Sequence, residues 1–195
     1  MLDNFTFKVA DPVERLAALR LQAQVYAEDT GHVPADQFDE SGFYFVAVTQ
    51  ETEIVASFRM VGPEQRPFDI ERFVDLSPFL AADRSPALIG RLCIRHDHRS
   101  VSRKVFLPLG MLKLAYAFSW KHGFTDLVMY TFPHLLGFYR GALFQPLNLT
   151  FQHPGYGCAM HVMHLDLIDV ERRRISSEDP SLQRLLSAEG YNILV

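Results

Sequence analysis

Apolar and polar positions along the chain follow two periods, and the switches between them mark out the elements. Phe5–Ala10 alternates weakly and predicts a first strand. Asp11-Pro12 then supplies an N-cap followed by proline at the first helical position. Leu16, Leu19, Ala23 and Tyr26 recur at helical spacing and predict one buried face of a helix ending near Glu28. Thr30 to Glu40 is a polar connector rich in turn residues. Phe43–Thr49 and Ile54–Val61 are β-rich runs separated by Gln50–Glu53, which predicts a hairpin. Glu64 to Arg84 is irregular, with one short helix around Ile70–Leu76, and its length suggests a lid or binding loop.

The stretch from Ala87 to Phe124 organises the rest. Ala87–Ile94 is an apolar run with a polar break at Gly90-Arg91, and its length and β-branching favour a buried strand. Arg95–Lys104 is a basic loop. From Val105 onward the chain is apolar nearly all round, interrupted by Lys113 and Lys121, as expected of a helix buried against a sheet. Pro108 suits its first turn and Gly123 its C-cap. Beyond it, Leu127–Phe132 reads as a strand, Pro133–Phe144 as a helix, and Leu149–Gln152 with Cys158–Leu167 as a closing strand pair. Glu171–Val195 is charged, then weakly helical. The expected organisation is therefore a domain over residues 1–170 with a C-terminal arm, 171–195, packed on it. The element order predicts an α/β (α+β) three-layer plan: a central mixed, mostly antiparallel sheet flanked by helices.

Composition narrows the function classes. The chain has 195 residues, 48% apolar and 22% charged, which is ordinary for a soluble globule with a substantial core. Met1-Leu-Asp-Asn has neither the basic start nor the apolar core of a secretory signal, and Lys113 and Lys121 interrupt the best candidate for a membrane span. A cytoplasmic location with Cys93 and Cys158 as buried reduced thiols in strands is expected. The 16 phenylalanines (Phe43, Phe45, Phe58, Phe106, Phe118, Phe132 and Phe138 among them) suggest core together with an apolar tunnel. A net charge of −4 with one small basic patch argues against nucleic acid.

That patch is the sharpest chemical signal. Arg95, Arg99, Arg103 and Lys104 fall within ten residues against one acid, Asp97. One reading is a solvated basic loop. The other is an anion cradle, because the unpaired amides of Leu109, Gly110 and Met111 at a helix start would follow at once. No G-x-x-x-x-G-K-[ST] motif is present, and no G-x-S-x-G elbow. Cys158-x-x-His161-x-x-His164 has metal-like spacing, but residues three apart on a strand point to opposite faces, so no metal site is expected.

Two sets of residues carry a family resemblance. Arg91-Leu92-Cys93-Ile94, the arginine-rich loop, the long helix and Gly137-Phe138-Tyr139-Arg140-Gly141-Ala142-Leu143-Phe144 are placed like the core of the GNAT acyltransferase superfamily. Arg20 with Val25-Tyr26, Asp36-Gln37-Phe38-Asp39, Ala56-Ser57-Phe58-Arg59 and Gly90-Arg91 resemble the pattern of acyl-homoserine-lactone (autoinducer) synthases and their relatives, the long-chain N-acyl amino acid synthases. The resemblance spans residues 15–165. It departs from the lactone-forming branch at Leu88, where a Glu is usual, and in lacking the usual Trp ahead of the aspartate pair. Arg99–Lys104 also lacks the glycines of acetyl-CoA enzymes, as in superfamily members that use acyl-carrier protein.

The resemblance implies a GNAT-like acyl-CoA N-acyltransferase fold and transfer of a medium or long acyl group to the amine of an amino acid or related small molecule. The donor would be an acylated phosphopantetheine, on acyl-carrier protein or coenzyme A, with no permanently bound cofactor. Backbone amides of Leu92, Cys93 and Ile94 would contact the thioester carbonyl, and Tyr139 would serve as general acid. Arg95, Arg99, Ser102, Arg103, Lys104, Leu109 and Gly110 would bind the donor. Arg20, Tyr26, Asp36, Asp39, Arg59 and Arg91 would bind the acceptor or form a structural ion network. Glu28, Asp36, Glu71 or water are the candidates for the base. Two other readings stay open: a lactone synthase using S-adenosylmethionine, and a non-catalytic protein of the same fold that binds an acyl ligand or carrier protein.

Overall fold

The computed structural model describes residues 4–99, 107–176, 182, 183, 186, 187 and 190–195. In chain order these form β1 (Phe5–Val9), α1 (Pro12–Thr30), β2 (Phe43–Thr49), β3 (Ile54–Val61), β4 (Pro86–Ile94), α2 (Leu107–His122), β5 (Asp126–Thr131), α3 (Leu136–Gly141), β6 (Gln145–Gln152), β7 (Ala159–Asp166), α4 (Leu167–Ser176) and β8 (Asn192–Leu194). The strands make one eight-stranded sheet in the order β6-β7-β5-β4-β3-β2-β1-β8. Two neighbouring pairs, β4–β5 and β1–β8, are parallel, and the others are antiparallel.

Local signals set most boundaries. Asp11 accepts the amides of Val13 and Glu14 while Glu14 accepts the Asp11 amide, closing a capping box at the start of α1. Gly31, at φ 71°, ends α1 in the left-handed conformation that glycine adopts without strain. The helix turns inward a face offset from the one its spacing suggests. Ala18, Leu21, Gln22 and Val25 are buried, whereas Leu16 is 53% exposed. Leucines lie on more than one side of α1, and the buried side hides a polar pair, Gln22 Nε2 donating to Ser57 Oγ at 3.0 Å. Apolar periodicity alone therefore missed the centre of the buried stripe, while Leu19, Ala23 and Tyr26 at its edge are half-buried.

α2 carries most of the apolar layer on one face of the sheet, through Met111, Leu112, Leu114, Ala115 and Phe118 against Phe7, Phe45 and Phe58. Each such side chain taken from water contributes on the order of 2 kcal/mol. Gly110 lies so close to the Phe7 ring that a Cβ would collide with it, so this residue is a packing contact between α2 and β1. Lys113 is buried too, its Nζ 2.6 Å from the Ser187 carbonyl and 4.9 Å from the Tyr191 ring centroid. Trp120, in contrast, is exposed.

The opposite face is covered by α1 over β2–β4 and by the connector between β3 and β4 over the rest. Phe68, Ile70, Leu76 and Leu80 are buried against Val61, Leu88, Val128 and Val162. The expected lid is thus a core layer, and its helical content is two short 3₁₀ turns, at Pro63–Gln65 and Asp69–Arg72. Three further expectations change. α3 is shorter than predicted, preceded by a 3₁₀ turn at Pro133–Leu135 and ended before Leu143, which takes φ 73°. β6 begins at Gln145 rather than Leu149, as a mostly exposed edge strand that tolerates Pro146 and a bulge. Cys158 lies in the turn before β7, half-buried, whereas Cys93 is buried in β4. α4 runs across position 170, and β8 extends the same sheet beside β1.

Candidate active site

β4 and β5 are parallel neighbours for only three registered pairs, Pro86–Asp126, Ala87–Leu127 and Leu88–Val128. Past Leu88, β4 stays with β3 while β5 stays with β7 through Met129, Tyr130 and Thr131. The two strands therefore part in the middle of the sheet. The divergence coincides with a bulge: Arg59 pairs with Gly90 and Ser57 with Cys93, which leaves an extra residue on β4, and Arg91 takes φ 57°. This is the polar break at Gly90-Arg91, and bulges of this kind re-aim a strand.

The bulge decides which backbone groups face the gap. Arg95 donates its amide to Val55, so Arg95 and Cys93 occupy the hydrogen-bonded positions toward β3. The backbone of Leu92 and Ile94 then faces the opening. Two side chains meet it there: the Tyr26 hydroxyl at 3.5 Å from the Leu92 carbonyl and Arg99 Nε donating to the Ile94 carbonyl at 3.1 Å. Of the three amides expected to contact a carbonyl, that of Cys93 is turned into the sheet.

A cavity of about 760 Å³ fills the gap. Gly90–Ile94 form one wall and Met129–Phe132 the other; Tyr26, Asp29, Arg99, Pro108, Tyr139 and Tyr156 complete it. Burial pushes the Cys93 thiol up to about 12, which disfavours a thiolate on this wall. Tyr139 is 4% exposed, packed edge-on against Phe138 and Phe144, and burial raises its pKa. Its hydroxyl has no hydrogen-bond partner among the described residues. Tyr26 is raised well above its usual value by burial and then by Tyr156.

Below the bulge lies the ion network. Arg59 reaches Asp36 at 2.7 Å and Asp39 at 2.6 Å, and Arg91 reaches Asp36 at 2.7 Å and Asp39 at 2.5 Å. Tyr44 Oη donates to Asp39 at 3.2 Å. Burial alone would raise the Asp36 pKa, but Arg59 and then Arg91 hold it below the usual carboxylate range. Arg59 does not line the cavity; Arg91 does, and only two of its five N–H donors are used within the network.

The cationic loop is compensated where it is described. Arg99 meets Asp29 at 2.5 Å, and Arg95 meets Asp97 at 2.8 Å and Glu53 at 3.0 Å. Arg95 stands outside the cavity and Arg99 on its wall. Ser102, Arg103 and Lys104 lie outside the described residues. Arg20 is exposed on α1, away from the cavity and from the network. The three carboxylates considered as bases are engaged elsewhere: Glu28 with His96, Asp36 in the network, Glu71 with Arg66 and the Phe68 amide. Among the described residues no three ligating side chains gather to hold a metal ion, and no helix is long and apolar enough to cross a membrane.

Tyr130, Tyr156 and His134 line the cavity without having been singled out from the sequence, beside Phe132 from the phenylalanines expected in core or tunnel. Their signal is topological: each follows the point where β5 leaves β4 or sits in the turn between β6 and β7. That turn is clasped by His32, whose ring lies 2.5 Å from where a Cβ on Gly155 would stand.

The model of the N-acyl amino acid synthase FeeM family matches residues 17–166, most of the chain. The chain belongs to that family. It is therefore an acyltransferase, and as a FeeM-family member an N-acyltransferase. The structure of FeeM, an N-acyl amino acid synthase from uncultured soil microbes, superimposes with a TM-score of 0.74 at 13% identity, covering 85% of this chain and 91% of that one. BjaI, a CoA-dependent acyl-homoserine lactone synthase solved with SAM and isopentyl-CoA, gives 0.63 at 17% identity over 93% and 98%. A GNAT-family acetyltransferase from Staphylococcus aureus Mu50 gives 0.56 at 9% identity over 84% and 99%. At such identities these matches establish the shared GNAT fold. No curated protein matches the sequence.

Proposed function

We propose that this FeeM-family chain transfers a medium or long fatty acyl group from a phosphopantetheine thioester to the amine of an amino acid or related small molecule. The observation that carries the proposal is the parting of β4 and β5 past Leu88 and Val128 around a cavity with Tyr139 on its wall. An extended pantetheine arm suits that gap because the gap-facing backbone of Leu92 and Ile94 can pair with its amides as an added strand would. A backbone amide there polarises the thioester carbonyl, the amine attacks, and the thiolate leaves with the proton of Tyr139. Holding amine and thioester together in this cavity supplies several kcal/mol of the rate enhancement. Arg91 stands on the cavity wall with only two of its donors engaged among the described residues, and is the group we assign to the acceptor's carboxylate, with Asp36, Asp39 and Arg59 fixing its position.

For the donor we favour acyl-carrier protein, in a cytoplasmic setting. The run of four cations against one acid between Arg95 and Lys104 favours an acidic carrier, with Asp29 and Glu53 offsetting part of the charge of Arg99 and Arg95. Coenzyme A is the second reading, favoured by the likeness to BjaI, which is CoA-dependent. Family membership sets aside a non-catalytic role. Lactone synthesis from S-adenosylmethionine is the second reading for the acceptor, and Leu88 counts against it.

Overexpression in a bacterium followed by mass spectrometry of organic extracts tests the proposal. Acyl amino acids are expected; acyl lactones would support the second reading, and no new acyl product would contradict both. With purified protein, a carrier-protein donor should be used more efficiently than the CoA thioester at low salt, the advantage shrinking as salt rises. Equal use of both at all salt concentrations would remove the carrier-protein preference.

A further inference from the structure

N-acylation consumes a neutral amine, and no carboxylate on the cavity wall is placed to make one: Asp29 is held by Arg99 and His96. One carboxylate nearby differs from the rest. Asp69, in the second 3₁₀ turn between β3 and β4, has no salt-bridge partner among the described residues. Its Oδ1 accepts the Ile70 amide at 2.7 Å, and its Oδ2 accepts the hydroxyl of Tyr130 at 3.3 Å. Tyr130 stands on β5 just beyond the parting point and lines the cavity. A carboxylate behind the wall and a phenol on the wall thus form a two-member path from the cavity to a half-buried acceptor.

We propose that Asp69 receives the proton of the acceptor ammonium through the Tyr130 hydroxyl. The proposal rests on the acyl-transfer reading and adds the group that reading lacks. In the step, the ammonium N–H bond breaks and its proton passes to the Tyr130 oxygen, while the Tyr130 proton passes to Asp69 Oδ2. The amine keeps the electron pair and attacks the thioester carbon, the adduct nitrogen gives its second proton to solvent, the C–S bond breaks, and the thiolate sulfur takes the proton of Tyr139. Solvent then carries the proton from Asp69 back to Tyr139, so that the net products are amide, thiol and one proton released to solvent. The 3.3 Å separation is long for O–H···O, as hydrogen bonds of catalytic groups often are before substrate tightens them.

The surroundings of Asp69 fit an acceptor. Burial and the charge of Asp36, on the connector before β2, raise its pKa; Arg59 on β3, the Ile70 amide and the Tyr130 hydroxyl on β5 lower it by less. A raised carboxylate narrows the gap to an amine, and each pKa unit of that gap is about 1.4 kcal/mol. Asp36 and Asp39 cannot substitute, because each is bonded to two guanidiniums.

The test uses the full chain, decanoyl-CoA and decanoyl-carrier protein as donors, and a panel of amino acids, with acyl-amine formation followed by mass spectrometry. Asp69→Asn and Tyr130→Phe should each lower kcat about a hundredfold, with KM for the donor unchanged. The double variant should be little worse than either single one, because both cut one path. The Asn variant should regain rate about tenfold per pH unit up to the pKa of the acceptor amine, whereas the wild type should change little over that range. Tyr130→Phe, which deletes one oxygen, carries the test should Asp69→Asn fail to fold. Wild-type acylation with both variants within threefold of it, or variant pH profiles parallel to the wild type, would overturn the inference alone. A wild type that acylates no amine would overturn the acyl-transfer reading and the inference with it.

Discussion

The two ends of the β4–β5 pair make the same strands do opposite things. At the lower end the strands are paired, and the acid there is saturated. Asp126 is fully buried, accepting from Arg84 at 2.8 and 2.9 Å, facing His164 Nε2 at 2.7 Å and accepting the Thr125 hydroxyl at 2.6 Å. At the upper end the strands part, and acids outnumber arginines: Asp36, Asp39 and Asp69 stand near Arg59 and Arg91. Asp69 keeps no salt bridge there among the described residues. A closed network locks a sheet, whereas an incomplete one beside a cavity leaves groups for a ligand. Strong pairing is thus a poor guide to the site, and the unfinished pairing a better one.

Breaking the upper network should have the largest effect. Arg59→Ala would remove a buried guanidinium and leave the half-buried Asp36 and Asp39 with one between them, and should cost about 3 kcal/mol in urea or guanidinium unfolding. A loss below about 1 kcal/mol would mean that water reaches the pair and that the two networks are alike. Tyr139→Phe should separate chemistry from architecture: turnover about a hundredfold lower, stability nearly unchanged. Near-normal turnover would make Tyr139 a packing residue.

Acid should open the lower end first. Burial alone would raise the Asp126 pKa, but hydrogen bonds from His164, Arg84 and Thr125 outweigh it and hold the group at about 2. An aspartate depressed in the fold stabilises above its unfolded pKa, about 4, and that stabilisation is lost as pH falls toward 2. The loss should be roughly 2 kcal/mol between those limits, measured as unfolding free energy against pH, and Asp126→Asn should flatten it. An unchanged slope in that variant would shift the acid sensitivity to other carboxylates. Smallest of all, Gly90→Ala should move the melting free energy by less than about 0.5 kcal/mol, since a Cβ there meets nothing within 4 Å. A large loss would mean that the gap is closed in solution.

How much of this the chain disclosed depends on whether the signal was local. The capping box at Asp11 and Glu14, the hairpin 43–61 and the break at Gly90-Arg91 are written in adjacent residues, and the structure carries each of them. Arg59 and Arg91 on central strands required carboxylates, and Asp36 with Asp39 were the nearest polar pair in the resembling motif. The buried stripe of α1 was hidden because Gln22 finds Ser57 only in the fold. The connector 62–85 reads as a loop because its apolar residues follow neither period, yet Phe68, Ile70, Leu76 and Leu80 each reach the sheet. Tyr130 and Asp69 lie 61 residues apart and meet only where β5 leaves β4. No window of sequence contains that event, and β8, three residues long, is too short to carry a period at all.

The central claim is that the upper gap, and not the lower seam, takes the pantetheine arm. Hydrogen exchange of the full chain with and without an S-decyl pantetheine thioether, the part shared by both possible donors, addresses it directly. Amides in Gly90–Ile94 and Met129–Phe132 should gain protection on binding, and those in Pro86–Leu88 and Asp126–Val128 should not change, being paired already. Binding that protects neither upper segment, or that protects both ends equally, would contradict the account.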